Sequence, residues 1–193
     1  MQIDAEIRRG VIAALPEAKK IENAGLREQV YDAWSLSLSK SSYGRIEDIP
    51  GSAVPGAPEL KDHTQADHLN GVARIAAAIA QALKESVEGF DVSMDEVLAG
   101  GLCHDLGKPF EYDPKNRERW EGDPRVTGLP SLRHTLYGVY VALSAGLPEQ
   151  IAHIAGTHSK EGENVTRSLA CEVVHAADAA YWNVLRKSGL LEA

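Results

Sequence analysis

The segment GLCHDLGKP, residues 101–109, places a histidine and an aspartate side by side at the end of an apolar run. The run begins at Ser93, which has the position of a helix N-cap, and its periodicity predicts a helix that continues to His104. We expect Gly107 to cap the C-terminus of this helix. A carboxylate such as Asp105 is costly to bury without a bound ion or hydrogen-bond donors, so the doublet indicates a buried polar site.

Three other histidines and a second aspartate lie on the apolar faces of further predicted helices. A helix that starts near Thr64 has His68 in line with its apolar face, and a late helix carries Asp178 in the nearly apolar stretch VVHAADAA. His134 and His158 lie on the inward faces of two intervening helices. Helical bundles build metal sites from inward-facing histidines and carboxylates, so these residues together favour a bound metal over ordinary packing.

The remaining three of the seven histidines do not share this placement. We expect His63 and His153 to have no special role, and His153 lies about 140° around its helix from His158. His175 lies three residues before Asp178, so it could either hydrogen-bond a metal ligand or simply pack.

These residues resemble the HD-domain superfamily of metal-dependent phosphohydrolases. The resemblance rests on His68 in DHLNGVARIA, the doublet in GLCHDLGKP and Asp178 in VVHAADAAYW, and it covers roughly residues 64–186. It implies an all-α, HD-domain-like helical bundle. Because His134 and His158 stand between the doublet and the last aspartate, the chain is similar to the two-metal members of the superfamily.

The resemblance implies two divalent metal ions, whose identity we expect among Fe, Mn, Zn and Co. The first ion would have four ligands, which are His68, His104, Asp105 and Asp178. The second ion would take His134 and His158, with Asp105 shared between the two ions. Ions about 3.5–4 Å apart could hold a bridging hydroxide that attacks phosphorus.

The activity implied by the resemblance is hydrolysis of a small phosphoester or phosphoanhydride, such as a nucleotide-like molecule or a phosphorylated metabolite. Asp105 and Lys108 are the predicted catalytic residues. We also expect Lys108, Arg133 and Lys160 to bind the anionic substrate, because they stand close in sequence to the predicted ligands. Each of these three cations could equally be a solvated surface charge, and Lys108 stands at a helix end that favours one.

Two other function classes stay open. The same ligand set resembles the mixed-valent diiron oxygenases of the superfamily, which cleave a C–C or C–P bond of a hydroxylated or phosphonate substrate. A metal-stabilised helical binding module without catalysis is the third class, although it would not need a second metal with open positions. The cyclic-di-nucleotide phosphodiesterases carry a His-His pair and a Gly-Tyr-Pro motif, whereas here a single His158 precedes SKEGE and no such motif occurs.

Composition excludes several kinds of partner. The chain has 193 residues with 20 Lys+Arg against 28 Asp+Glu, a net charge of −8 that disfavours tracking along nucleic acid or a polybasic membrane contact. No apolar run approaches the roughly 18 residues of a membrane span. Two cysteines are too few for a disulfide framework, so we expect a reduced, cytoplasmic setting. A homodimer through the N-terminal helices is a further expectation.

The length of the chain predicts a single domain over residues 1–193. We expect residues 1–60 to form N-terminal helices and a loop, and residues 64–186 to form the HD core. The first of these helices is predicted from Ile3 to Ala14, since its apolar residues share one face.

Two Pro/Gly-rich stretches interrupt the helical pattern, and we interpret both as loops near the metal site. They are 41–61 and 109–130, and they lead into His68 and His134. Because irregular segments beside a site often shape it, we expect the two stretches to form walls or a lid.

Overall fold

The computed structural model describes residues 4–192, and they form a bundle of α-helices with very little sheet. The helices are α1 (Ala5–Ala14), α2 (Ala24–Ser39), α3 (Gln65–Ser86), α4 (Met94–Cys103), α5 (Lys108–Tyr112), α6 (Pro114–Gly122), α7 (Pro124–Thr127), α8 (His134–Ser144), α9 (Glu149–Thr157) and α10 (Leu169–Ser188). Short 3₁₀ turns lie at Pro16–Lys20, Ile46–Asp48 and Lys160–Asn164. Two short strands, β1 (Glu59–Leu60) and β2 (Leu191–Glu192), pair antiparallel. The all-α fold expected from the sequence is confirmed.

The helices begin at side chains that satisfy their first free N–H groups. Thr64 and Asp67 form a capping box that starts α3, and Ser93 accepts from the third residue of α4. Asp4 caps α1 in the same manner. The predicted start of this first helix at Ile3 lies outside the described residues.

Helix α3 is the centre of the bundle and packs against both α4 and α10. Its buried positions are mostly small, including Ala73, Ala76 and Ala80. A Cβ atom on Gly101 of α4 would lie 2.8 Å from the Cα atom of Ala73, so the backbones of the two helices approach closely. This close crossing brings the first residues of α3 and the end of α4 to the same place in the core.

The stretch 109–130 is largely helical, and the prediction of an irregular loop there is wrong. It contains most of α5 together with α6 and α7. Each of these helices has a proline in its first turn, namely Pro109, Pro114 and Pro124. Proline is well tolerated at the first helical positions because the N–H group it lacks has no partner there.

Gly107 does not cap the C-terminus of α4 as predicted. Helix α4 ends at Cys103, and Gly107 precedes α5 with a φ of −89°, which is not the left-handed conformation of a glycine cap. The glycine is required by space, because a Cβ atom there would collide with the backbone at the start of α8. Helices α5 and α8 therefore meet through backbone atoms.

The first Pro/Gly-rich stretch, 41–61, is an ordered loop, as expected, that includes the turn Ile46–Asp48 and ends in β1. Ile46, Ile49 and Ser52 along it are buried. Its apolar residues extend the core, so the stretch is held over the N-terminal end of α3.

Both cysteines are free and buried. None of the helices between residues 4 and 192 has the length and apolar character that a membrane crossing requires.

Candidate metal centre

Two imidazole rings meet where α3 crosses the end of α4. The Nε2 atoms of His68 and His104 lie 3.1 Å apart, and both rings are fully buried. The Nδ1 atom of His104 lies 2.8 Å from the carbonyl oxygen of Gly101, which can only accept a hydrogen bond. This contact puts the ring proton of His104 on Nδ1 and leaves the lone pair of Nε2 free.

The two carboxylate oxygens of Asp105 face different histidines. Oδ2 lies 3.2 Å from the Nε2 atom of His104 and 3.3 Å from that of His68. Oδ1 lies 3.5 Å from the Nε2 atom of His134 and 3.8 Å from that of His158. The carboxylate therefore stands between two pairs of imidazole nitrogens.

Asp178 of α10 completes the first group of donor atoms. Its Oδ1 atom lies 3.4 Å from the Nε2 atom of His68 and 3.9 Å from that of His104. This oxygen is buried and has no hydrogen-bond partner among residues 4–192, as is also true of the Nδ1 atom of His68. The ring of Trp182, one turn along α10, stacks on the ring of His68 at 5.0 Å between centroids.

The second pair of histidines is oriented by contacts on the far side of each ring. The Nδ1 atom of His158 lies 3.1 Å from the carbonyl oxygen of Ala155 in the preceding turn. The Nδ1 atom of His134 lies 2.6 Å from the carboxylate of Glu111. In both rings the Nε2 atom therefore remains free and lies on the side of Asp105.

Residues 4–192 contain two sets of side chains with donor atoms close enough to surround an ion. They are His68 with His104 and Asp178, and His104 with Asp105 and His158. Ligands at about 2.0–2.2 Å from one ion lie roughly 3.0–3.5 Å from each other, close to the spacings observed here. The unpartnered oxygen of Asp178 and the mixture of imidazole and carboxylate donors also fit a divalent metal.

The electrostatics of the centre favour metal binding at neutral pH. Burial lowers the pKa of His68 to about 4 and the pKa of His158 to about 3, so both rings are neutral at pH 7. Burial alone would raise the pKa of Asp105, but His104 and Lys108 hold it well below its usual value. Neutral imidazole and ionised carboxylate are the protonation states that bind a divalent ion.

The pKa of His104 moves in the other direction from those of the two neutral rings. Burial alone would lower it, but the carboxylates of Asp105 and Asp178 raise it on balance. Burial would raise the pKa of Asp178, but the protonated form of His104 helps to hold it below its ordinary value; a divalent ion bound at the free Nε2 atom would replace that proton. The two carboxylates thus create a strong preference for a cation at this position.

Lys108 is buried inside the centre, and the alternative that it is a solvated surface charge is wrong. Its ammonium group lies 3.0 Å from Oδ2 of Asp105 and donates at 2.7 Å to the carbonyl oxygen of Ser52. It also donates to Gln65 at 3.3 Å. Burial would lower the pKa of Lys108, but Asp105 raises it, so the amine stays protonated.

A cavity of about 440 Å³ opens above these donor atoms. Its walls include all three of the predicted substrate-binding residues, Lys108, Arg133 and Lys160. The guanidinium group of Arg133 is held at 3.0 Å from Glu111 and 3.1 Å from Glu161. The centre therefore lies at the floor of a cavity that has cationic side chains on its walls.

The two Pro/Gly-rich stretches differ in their relation to this cavity. The first supplies Ala53 and Val54 to the wall, as expected. Among the described lining residues none comes from the stretch 109–130, so a lid from that segment is not what the structure has. The segment instead contacts the metal centre through Glu111, whose carboxylate lies against the Nδ1 atom of His134; no motif in the sequence indicates this residue.

The three other histidines lie outside the donor groups. His63 pairs with the hydroxyl group of Tyr181, and the Nε2 atom of His153 accepts from the backbone of Ser168 at 3.1 Å. The Nδ1 atom of His175 lies 2.5 Å from the backbone carbonyl oxygen of His158.

The region that carries the six donor residues is similar to known proteins. The family model described as HD domain matches residues 66–181. Dihydroneopterin 2′,3′-cyclic phosphate phosphodiesterase of Methanocaldococcus jannaschii is 29% identical over an alignment of 170 residues, and the match includes 84% of this chain. The match spans 65% of the length of that relative. No solved structure matches the chain significantly.

Proposed function

This chain belongs to the HD domain family, and from that premise we propose that it is a metal-dependent hydrolase of a small phosphoester. The observation that carries the proposal is the position of Asp105, whose two oxygens face two separate pairs of histidine nitrogens. A carboxylate placed in this way can bridge two divalent ions. Such ions would activate a phosphoryl group as Lewis acids and generate a nucleophile at neutral pH.

Under this proposal each of the six donor residues has a defined part. His68, His104 and Asp178 would hold the first ion together with Oδ2 of Asp105. His134 and His158 would hold the second ion together with Oδ1 of Asp105. Lys108 lies 3.0 Å from Oδ2 of Asp105, the oxygen assigned to the first ion, so it would balance part of the carboxylate charge there and leave Oδ1 to the second ion.

Three cationic side chains line the cavity beside the carboxylates of Asp105, Glu161 and Asp178, and they support an anionic substrate once metal ions offset those carboxylates. Arg133 is fixed by two carboxylates, so its guanidinium group is oriented before a substrate arrives. Lys160 lines the same cavity and is solvent-exposed. We assign both residues to phosphoryl oxygens, and we assign Lys108 to the charge balance of Asp105 and to the inner wall of the cavity.

Within the small phosphoesters, cyclic phosphodiesters are the first class to test. The relative from Methanocaldococcus jannaschii is named as a phosphodiesterase for a 2′,3′-cyclic phosphate. The cavity of about 440 Å³ is of the size that binds small organic ligands, which run from about 300 to 1,000 Å³. A nucleotide-like phosphodiester fits both observations.

The test is a hydrolysis assay under nitrogen with Mn²⁺, Co²⁺, Zn²⁺ or Fe²⁺ and a panel of cyclic nucleotides, linear diesters and monoesters. We expect turnover of at least one diester, its loss in His104→Ala, and a raised KM in Arg133→Ala with a smaller change in kcat. Turnover that requires O₂ and two irons per chain would instead favour the diiron oxygenase. Hydrolysis that His104→Ala leaves unchanged would overturn the proposal.

A further inference from the structure

We propose that Glu111 is a positioning residue that aims His134 at the second metal ion and ties this ligand to the anion-binding wall of the cavity. The inference rests on the proposed function, because it needs an ion at His134. It assigns a role to a carboxylate that is not itself among the donor atoms.

The two oxygens of the Glu111 carboxylate accept hydrogen bonds from two consecutive residues, Arg133 and His134. Oε2 accepts from the backbone N–H of His134 at 2.7 Å and lies 2.6 Å from the Nδ1 atom of the same residue. Oε1 accepts from the guanidinium group of Arg133 at 3.0 Å. Glu111 is 1% exposed, so these contacts are shielded from water.

The contact with Glu111 sets the tautomer of His134. An ionised carboxylate only accepts hydrogen bonds, so the ring proton must stand on Nδ1. The lone pair of Nε2 is then free on the side of Asp105, where a metal ligand needs it. Burial would raise the pKa of Glu111, but the hydrogen bonds from His134 lower it on balance and keep the acceptor charged.

The position of His134 in its helix explains why a side chain, and not a backbone carbonyl group, accepts the hydrogen bond from its Nδ1 atom. His104 and His158 each follow a helix, and their Nδ1 atoms use the carbonyl oxygens of Gly101 and Ala155 three residues earlier. His134 is the first residue of α8, so no earlier helical turn offers a carbonyl oxygen. A buried carboxylate from another helix takes that place.

The same carboxylate also satisfies the start of α8. The side chain of the N-cap residue Arg133 makes no capping bond, and the buried carboxylate of Glu111 instead accepts from the first N–H of the helix, that of His134. A negative charge at this end of the helix is favoured by the helix dipole. One buried group therefore fixes both the backbone and the ring of the ligand.

Glu161 provides a matched control for Glu111. It lies 3.1 Å from Nε of Arg133, as Glu111 lies 3.0 Å from its Nη1. Among the described residues it makes no hydrogen bond to His134. An effect that passes through Arg133 would appear in variants of both glutamates, whereas an effect on the His134 ring would appear only with Glu111.

The experiment titrates Mn²⁺ into the full chain, stripped of metal, for the wild type and for Glu111→Gln, Glu161→Gln and His134→Ala. We expect two ions in the wild type and a second ion bound about 10–100-fold more weakly in Glu111→Gln, the usual loss when such a partner is removed. Glu161→Gln should bind both ions as the wild type does, and His134→Ala should lose the second. Ring ¹⁵N shifts should show that His134 loses its single tautomer in Glu111→Gln.

The outcomes separate the inference from the proposed function. If the wild type binds no Mn²⁺, the proposed function fails and the role of Glu111 falls with it. If the wild type binds two ions and a folded Glu111→Gln binds both with unchanged affinity, only the inference about Glu111 is overturned. Equal weakening in Glu111→Gln and Glu161→Gln would also overturn it, because the effect would then run through Arg133. Circular dichroism of each variant establishes that it is folded.

Discussion

Replacing Gly107 with alanine tests the tightest backbone contact beside the candidate metal centre. Gly107 has an ordinary φ of −89°, so alanine would face no conformational penalty there. Its Cβ atom, however, would lie 2.8 Å from the backbone nitrogen of Gly138 and 2.7 Å from the carbonyl carbon of His134, with the oxygen of His134 nearer still. The obstacle is the backbone of α8, which cannot rotate away as a side chain can.

The size of the effect follows from the overlap. Non-bonded carbon atoms pack best at about 3.5–4.0 Å, so the contact with the carbonyl carbon of His134 alone would separate α5 and α8 by roughly 0.8 Å, and the nearer oxygen requires more. Overpacking costs about 1–3 kcal/mol, and we expect about 3 kcal/mol here because only backbone movement relieves the contact. In a chain of this length, that loss lowers the melting temperature by roughly 6–12 °C.

The same displacement would damage metal binding. The Nε2 atom of His134 lies 3.5 Å from Oδ1 of Asp105, and both residues adjoin the contact. Metal–ligand distances tolerate only about ±0.2 Å, so a shift of roughly 0.8 Å at the start of α8 would weaken or abolish the second ion. The first ion should be retained, because His68 and Asp178 lie on α3 and α10.

The assay is urea unfolding in EDTA, followed by Mn²⁺ titration of the same preparation. Gly138→Ala is the matched control, since its Cβ atom would lie 3.4 Å from the nitrogen of Gly107 and 3.5 Å from Ala155. Those are ordinary contacts, and alanine gains up to about 1 kcal/mol over glycine in a helix, so the control should be as stable as the wild type or more. A Gly107→Ala variant that unfolds within about 1 kcal/mol of the wild type and binds both ions would refute the reasoning.

Three further outcomes are expected. EDTA should lower the melting temperature and Mn²⁺ should restore it, since an ion at 100 times its Kd stabilises the folded chain by about 2.7 kcal/mol; equal melting temperatures would contradict a site formed on folding. Cys103 and Cys171 should react with a thiol reagent only after unfolding, because burial raises the pKa of both thiols; fast labelling of the native chain, measured by absorbance, would count against it. Burial would raise the pKa of Asp67, but hydrogen bonds from Thr64 lower it on balance. A lowered carboxyl pKa stabilises the fold above the ordinary value of about 3.9, so Asp67→Asn should lower the urea midpoint at pH 7, with the difference vanishing as the pH falls below that value; a difference independent of pH would exclude this origin.

The helical fold and the family could be predicted because their signals are local. The capping box at Thr64 and the apolar face that begins with His68 stand within a few residues of one another, and the structure has both. The doublet at His104 carries the resemblance to the HD-domain superfamily, which the family match confirms. That the six donor residues bind two metals stays a prediction, although the structure brings their side chains together.

The stretch 109–130 could not be predicted correctly from composition alone. Its Pro/Gly-rich composition predicts a loop, but Pro109, Pro114 and Pro124 each stand in the first turn of a short helix. Whether proline stops a helix or starts one depends on where the preceding helix ends. That is decided by packing, here by the close contact of Gly107 with α8.

Glu111 lies beyond Gly107, the residue at which the sequence predicts the end of the helix, and within the stretch predicted to be a loop. His104, Lys108 and Glu111 are spaced by four and three residues, which is the spacing of one helix face. The chain keeps nearly helical backbone angles between α4 and α5, with i to i+3 hydrogen bonds such as the one from Lys108 N–H to the Asp105 carbonyl at 2.9 Å. The helix face therefore continues past Gly107. His104 supplies a donor atom for the first ion, Lys108 neutralises Asp105, and Glu111 orients His134. The sequence pattern that marks the metal centre therefore extends from the His104-Asp105 doublet to Glu111. The i to i+3 turn between α4 and α5 shifts the helix face slightly but does not end it.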